Sequence, residues 1–124
     1  AGEPTLGGAV ATNASGPRQV IAGAARDAVL GARFVDGTGM AVRAGGRVMK
    51  NVTGLDLARL MAGAHGTLGV LAEVTLKVLP LPEAVAMLRL PGLEVGAAVA
   101  AMAAALGSPF EVSGAAHDAE GGVT

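Results

Sequence analysis

Apolar and polar positions alternate most regularly past the middle of the chain. Val70, Ala72, Val74, Leu76 and Val78 fall on one side and Glu73, Thr75 and Lys77 on the other, a period of two that predicts a strand over residues 70–79. Residues 28–35 also suit a strand, Asp36-Gly37-Thr38-Gly39 supplies turn chemistry, and residues 40–44 return as its hairpin partner. The period lengthens to that of a helix at Leu57, Leu60, Met61 and Ala64, predicting a helix over residues 55–62 with Thr53 as its cap. A short helix through Leu6 to Ala11 is expected nearer the start, with the Thr5 hydroxyl accepting a first-turn amide and Asn13-Ala14-Ser15-Gly16-Pro17 ending it.

Pro80-Leu81-Pro82 removes backbone donors and fixes φ, so the sheet should stop there. We place a boundary near Glu83, dividing the chain into domains at residues 1–82 and 83–124. The second should open as a strand (85–90), a helix (94–106) and a further strand (110–115), with Val95, Val99, Met102 and Leu106 as the helix's core stripe. Gly107 fits a left-handed residue after that helix, and residues 118–124 have little with which to build a core, so fraying or continuation is expected.

Composition narrows the chemistry. Hydrophobic residues make up 52% of 124 positions, yet Phe34 and Phe110 are the only aromatics, so the core must be built from Ala, Val, Leu and Met. The 20 glycines form short motifs without a fixed repeat, which excludes a collagen-like chain. A formal charge of -1 and the lack of aromatic platforms argue against nucleic acid as a partner. The absence of cysteine excludes disulfides, thiolate zinc sites and cysteine-held iron–sulfur clusters from this segment. No signal peptide is visible and no initiator Met is present, which suggests a truncated chain. The longest apolar run, 95–106, falls short of the about 20 residues that span a bilayer, so no transmembrane segment is expected.

Two glycine-rich stretches are candidates for ligand contact. In Gly7-Gly8-Ala9-Val10-Ala11-Thr12-Asn13-Ala14-Ser15-Gly16 the glycines would let backbone amides approach an anionic or ring ligand, and Thr12 and Asn13 would add side-chain hydrogen bonds. Gly66-Thr67-Leu68-Gly69-Val70 links a helix to a strand and could expose amides and carbonyls in the same way. Tight packing explains either stretch equally well, and neither has dinucleotide-fingerprint or P-loop spacing. His65 borders the second stretch and could meet a ligand, although a lone histidine is more often locally satisfied. His117 has no neighbours at metal-ligand spacing, so no metal site is expected. Arg26-Asp27 suits an ion pair or a strand-orienting role, and Arg18 or Lys50 could meet a phosphate or carboxylate, with a solvated role more usual for each. No serine stands in a nucleophile–base pattern with either histidine, and no catalytic residue can be named.

The ordered combination is more specific than its parts. Gly7 to Gly16, Arg26-Asp27-Ala28-Val29-Leu30-Gly31, Lys50-Asn51-Val52-Thr53-Gly54-Leu55-Asp56-Leu57 and Gly66 to Val70 follow in an order that resembles the second half of the PCMH-type FAD-binding domain of the vanillyl-alcohol oxidase superfamily. Asn13 to Arg18, Gly45-Gly46-Arg47-Val48-Met49-Lys50-Asn51 and Leu60-Met61-Ala62-Gly63 look most like the FAD-binding subunit of glycolate oxidase. Three positions depart from the pattern: Ala22, Ala28 and Leu55 stand where family members often place aromatic residues.

The resemblance implies an α+β fold, an antiparallel sheet flanked by helices forming the second subdomain of the FAD-binding domain, followed by the start of an α+β cap. It implies FAD as cofactor, with Gly7, Gly8, Thr12, Asn13 and Gly16 facing the flavin and Gly66, Gly69 and Val70 holding the nucleotide portion. The upstream half of such a domain, which carries the diphosphate loop, does not appear in this sequence. The implied activity is an oxidoreductase acting on a small 2-hydroxyacid, glycolate to glyoxylate in the leading reading. Other glycolate oxidase subunits, including an iron–sulfur subunit, are the implied partners, in the cytoplasm or at the inner face of the membrane. A non-catalytic FAD-fold scaffold and a D-lactate or other 2-hydroxyacid dehydrogenase are the alternatives.

Overall fold

The computed structural model describes residues 3–46, 54–118 and 122–124. Two compact units divide it, one formed by Ala1–Ser15 with Gly23–Leu79 and the other by Gly16–Ala22 with Pro80–Thr124. The α+β expectation holds: a three-stranded antiparallel sheet lies with short helices in the first unit.

The expected hairpin is the centre of that sheet. Strand β1 (Val29–Val35) pairs with β2 (Ala41–Gly45) on one side and β3 (Val70–Leu76) on the other, giving the order β2-β1-β3. The turn between β1 and β2 closes around the Asp36 carboxylate, whose Oδ1 accepts from the Thr38 hydroxyl (2.7 Å), the Thr38 amide (2.8 Å) and the Met40 amide (3.0 Å). These donors, the Thr38 hydroxyl foremost, hold the carboxyl below the ordinary aspartate value. Because the folded pKa is depressed, the turn's contribution is complete above the unfolded value near 3.8 and is lost as pH falls through the lower folded value. Asp36→Asn should therefore flatten the acid limb of a stability-versus-pH curve below about pH 4; an unchanged limb in acid-denaturation scans would contradict this.

Strand β3 departs from the simple alternation. Arg33 pairs with Glu73 but Phe34 pairs with Leu71, leaving Ala72 as an extra residue that reverses the phase of the strand. Leu71, Val74 and Leu76 consequently pack against the core, whereas Val70 and Ala72 are exposed and the strand stops at Leu76. A second irregularity leaves Leu30 as an extra residue on β1, between the Val29–Leu76 and Gly31–Thr75 pairs. It allows Val29 to face the core together with Ala32 and Phe34, although their numbers differ in parity.

Helix α1 (Leu6–Ala11) begins where expected, its Gly8 amide donating to Thr5 Oγ1 at 3.0 Å. Helix α4 (Leu57–Met61) is capped by Asp56, which accepts from the Arg59 amide at 3.0 Å; the expected cap, Thr53, lies outside the described residues. Val10 of α1 and Ala58, Met61 and Ala62 in and just after α4 join Val29, Ala32 and Phe34 in one core. Helix α3 (Ala25–Ala28) runs directly into β1, and its Asp27 carboxylate reaches back to the Ala24 amide at 2.8 Å. Asp27 thus holds a helix start instead of pairing with Arg26.

In the second unit, α2 (Gln19–Ala22) is a single turn and α5 (Val95–Leu106) is the longest helix described. The stripe expected on α5 is displaced: Ala98 is fully buried, Ala101, Met102, Ala105 and Leu106 are half-buried, and Val95 and Val99 are exposed. An all-apolar helix offers no contrast from which to choose its inner face, and the alanine side allows the closest approach. Gly107 caps α5 at φ −87°, not in the left-handed region. The strands expected at 85–90 and 110–115 do not form: among the described residues neither segment joins a ladder, and the isolated bridges there pair Leu90 and His117, the latter beyond the second segment, with Val123. Their apolar side chains, Val85, Met87 and Leu88 among them, are exposed because no described strand or helix covers them. Where fraying or continuation was expected, the described residues 122–124 include a buried Val123 and a Thr124 amide that donates to Ala116 O at 2.8 Å.

Candidate functional site

The two glycine-rich stretches meet at the end of α1. A helix leaves its last carbonyls without intrahelical donors, and here the turn just before the second stretch supplies them. The Gly63 amide donates to Val10 O at 3.1 Å and the His65 amide to Ala11 O at 2.9 Å. The chain after α1 and the turn after α4 are thereby held side by side. A Cβ built on Gly63 would lie 3.3 Å from that of Asn13.

Both loops carry unusual backbone. Asn13 and His65 each have φ of 52°, the only non-glycine residues with positive φ among those described, and Gly63 and Gly66 are also left-handed. Asparagine tolerates this region because its side chain can bond locally; histidine has less support there. Such conformations cost about 1 kcal/mol or more each and gather at functional loops. The pairing of two such residues on adjoining loops is the feature sequence reasoning missed. An asparagine just past a helix is a recognisable signal for it, whereas nothing around His65 beyond the following glycine marks that position.

The candidate residues divide by what they do. Thr12 caps α1, its hydroxyl donating to Gly8 O at 2.8 Å, so that donor is engaged within the chain. Asn13 Oδ1 accepts from the Arg26 amide at 2.8 Å. Gly8 and Gly69 are explained by packing: an added Cβ would lie 3.0 Å from Thr5 Oγ1 in the first case and 2.5 Å from Val35 O in the second. Gly7 and Gly66 have nothing within 4 Å of their Cβ positions, so packing does not require glycine there. Val70 opens β3 opposite Val35, with 70% of its surface exposed. Gly16 belongs to the other unit, where its Cβ position is likewise open. His65 is exposed, and Lys50 lies outside the described residues.

What the first unit brings together is thus Gly7, Gly8, Thr12 and Asn13 beside the turn at Gly63 to Gly66. The described loops hold backbone amides and carbonyls, open glycines and no Lys or Arg. That donor set fits an uncharged ring with hydrogen-bonding edges better than a phosphate, and hence the flavin portion of a flavin nucleotide. No group of three His, Asp or Glu side chains able to hold a metal ion occurs among the described residues, and no helix there is long and apolar enough to cross a membrane.

Residues 1–45 match the family model described as FAD binding domain. The chain is 54% identical over 87 residues to glycolate oxidase subunit GlcE of Escherichia coli (strain K12), an alignment covering 70% of this chain and 25% of that protein. It is 47% identical over 87 residues to a D-lactate dehydrogenase of Anaerostipes hadrus, covering 70% of this chain and 18% of that one. It is 42% identical over 79 residues to glycolate oxidase subunit GlcD of Bacillus subtilis (strain 168), covering 64% and 17% respectively. The chain therefore spans a quarter or less of the length of these curated relatives.

Proposed function

We propose, for a chain whose first 45 residues match the model of an FAD-binding domain, that it forms part of a flavin-dependent 2-hydroxyacid dehydrogenase oxidising glycolate to glyoxylate. The observation that carries the substrate is the 54% identity to a glycolate oxidase subunit. Flavin, when bound, supplies the acceptor for the hydride leaving the substrate carbon. This chain's part is to hold it. In this reading Gly7, Gly8, Thr12 and Asn13 face the flavin, Gly16 being a separate flavin-facing candidate, and Gly66, Gly69 and Val70 support the nucleotide portion.

The substrate-facing surface, with the group that accepts the hydroxyl proton, depends on the rest of the cap domain and on a partner subunit. Residues 83–124 begin the cap domain that, with the rest of the protein, closes over the substrate. Their exposed apolar segment suits a role completed by further chain. In the assembly we envisage, a second flavoprotein subunit and an iron–sulfur subunit accompany this one in the cytoplasm or at the inner face of the membrane, and the cysteine ligands come from the partner.

The visible spectrum of the full-length protein, purified with its partner subunits, tests the reading. We expect flavin bands that bleach when glycolate is added without oxygen. Bleaching by D-lactate but not glycolate would move the protein to the activity named for its Anaerostipes hadrus relative. A full-length protein without flavin would leave a scaffold role instead.

A further inference from the structure

We infer that Asn13 is a positioning residue of the flavin-facing loop, acting through the Arg26 amide and not by touching the cofactor; this rests on the flavin reading above. An asparagine side chain offers one oxygen as acceptor and one NH2 group as donor. The oxygen is committed: Asn13 Oδ1 accepts from Arg26 N at 2.8 Å, across 13 residues of sequence. That amide lies in the first turn of α3, where a helix lacks its own acceptors. Asp27 satisfies the neighbouring Ala24 amide in the same way, so two carbonyl-type oxygens, one local and one from the loop, complete the start of α3.

The bond matters because of what α3 leads into. It ends at Val29, the buried first residue of the central strand. Asn13 thus ties the loop after α1 to the helix that leads into the central strand, while its backbone amide donates to Val10 O at 3.0 Å and its Cβ would lie 3.3 Å from a Cβ added at Gly63. The loop is held from three sides with its backbone at φ 52°. Ala14 is fixed in turn, its amide bonded to Ala9 O at 2.8 Å and its carbonyl accepting from Ala25 N at 3.1 Å. The backbone that would face a flavin is therefore placed by Asn13, whose own polar oxygen turns toward the protein.

Three substitutions in the full-length protein separate this role from direct contact. Asn13→Asp keeps the acceptor and tolerates the left-handed backbone but removes the NH2 donor. Asn13→Gly keeps the backbone freedom and removes the acceptor, and Asn13→Ala removes both. We expect Asn13→Asp to bind FAD within about threefold of the unaltered protein, with the visible circular dichroism of the bound flavin preserved. Asn13→Gly and Asn13→Ala should weaken FAD binding about tenfold or more, with a changed flavin dichroism in the glycine variant.

If Asn13→Asp loses FAD as fully as Asn13→Ala, the side chain is a cofactor ligand and the inference is overturned. It is equally overturned if Asn13→Gly binds as the unaltered protein does. An alanine variant that fails to fold leaves the aspartate and glycine arms decisive. Failure of the unaltered protein to take up FAD overturns the flavin reading, and the positioning role with it; failure of Asn13→Asp alone overturns only the role.

Discussion

Replacing Gly45 by alanine should destabilise the protein by about 3 kcal/mol, near the upper end for a single added methyl group. Gly45 ends β2 with φ at 71°. A Cβ there would strike the Leu30 carbonyl oxygen and lie 2.8 Å from Gly31 Cα, both of them backbone atoms that no rotamer change can move. Its partner in register, Gly31, is equally confined: a Cβ on it would lie 3.0 Å from the Gly46 amide nitrogen and carbonyl oxygen. The three glycines let β2 close over the point where Leu30 is inserted into β1. Gly37→Ala is the control, because nothing lies within 4 Å of that Cβ position and its φ is not positive. Urea denaturation should find the control within about 0.5 kcal/mol of the unaltered protein. Equal midpoints for the two variants would contradict the proposed close approach.

Phe34→Ala should be costlier still, by about 3 to 5 kcal/mol. Phe34 is 6% exposed, pairs with Val42 and Leu71 across both neighbouring strands, and is the one aromatic side chain of a core otherwise made of Ala, Val, Leu and Met. Its ring also reaches Gly69, where an added Cβ would lie 3.2 Å from Phe34 Cδ2. Removing the ring should therefore loosen the turn from Gly66 to Gly69 and weaken FAD binding along with the fold. Phe110, 78% exposed, provides the comparison: Phe110→Ala should change the unfolding free energy by less than about 1 kcal/mol. A melt that shifts as far for Phe110→Ala as for Phe34→Ala would show that the core has been wrongly located.

The sequence was most readable where a local signal stood alone. The hairpin of β1 and β2, the Thr5 cap and the helix around Leu57 each had turn residues, a capping hydroxyl or a clear period. Reading failed where the decision belonged to a neighbour. Alternation along β3 presumes one residue opposite one residue, and no side chain near Ala72 announces that Phe34 will pair with Leu71 instead. Helix α5 is apolar all round, so its inner face is chosen by the fit of Ala98 and not by hydrophobic contrast. Residues 85–90 had the composition of a strand but, among the described residues, no ladder to join.

The candidate site was legible in the same partial way. Gly7 to Gly16 and Gly66 to Val70 were among the motifs that carried the family resemblance, and in the first unit the amides of Gly63 and His65, just before the second of them, bond to the end of α1. What a list of glycines could not convey is that they act differently. Gly8 and Gly69 are small because protein atoms press on them, Gly66 must adopt a left-handed backbone, and Gly7 is open. Thr12 and Asn13 read as ligand-binding side chains in the sequence, yet their oxygen atoms are engaged by the chain itself.

The extra residue at Ala72 gives β3 an uneven tolerance of length change. Deleting any paired residue between Val70 and Leu76 would rotate everything on one side of the gap by half a turn, exchanging core and solvent faces. Deleting Ala72 would leave Leu71 opposite Phe34 and Glu73 opposite Arg33, so each side chain would keep its face while the strand lost its local kink. Among homologous sequences, an alignment gap within this strand belongs at that position, and its appearance would mark proteins in which the Gly66 to Gly69 turn leaves the sheet at a different angle.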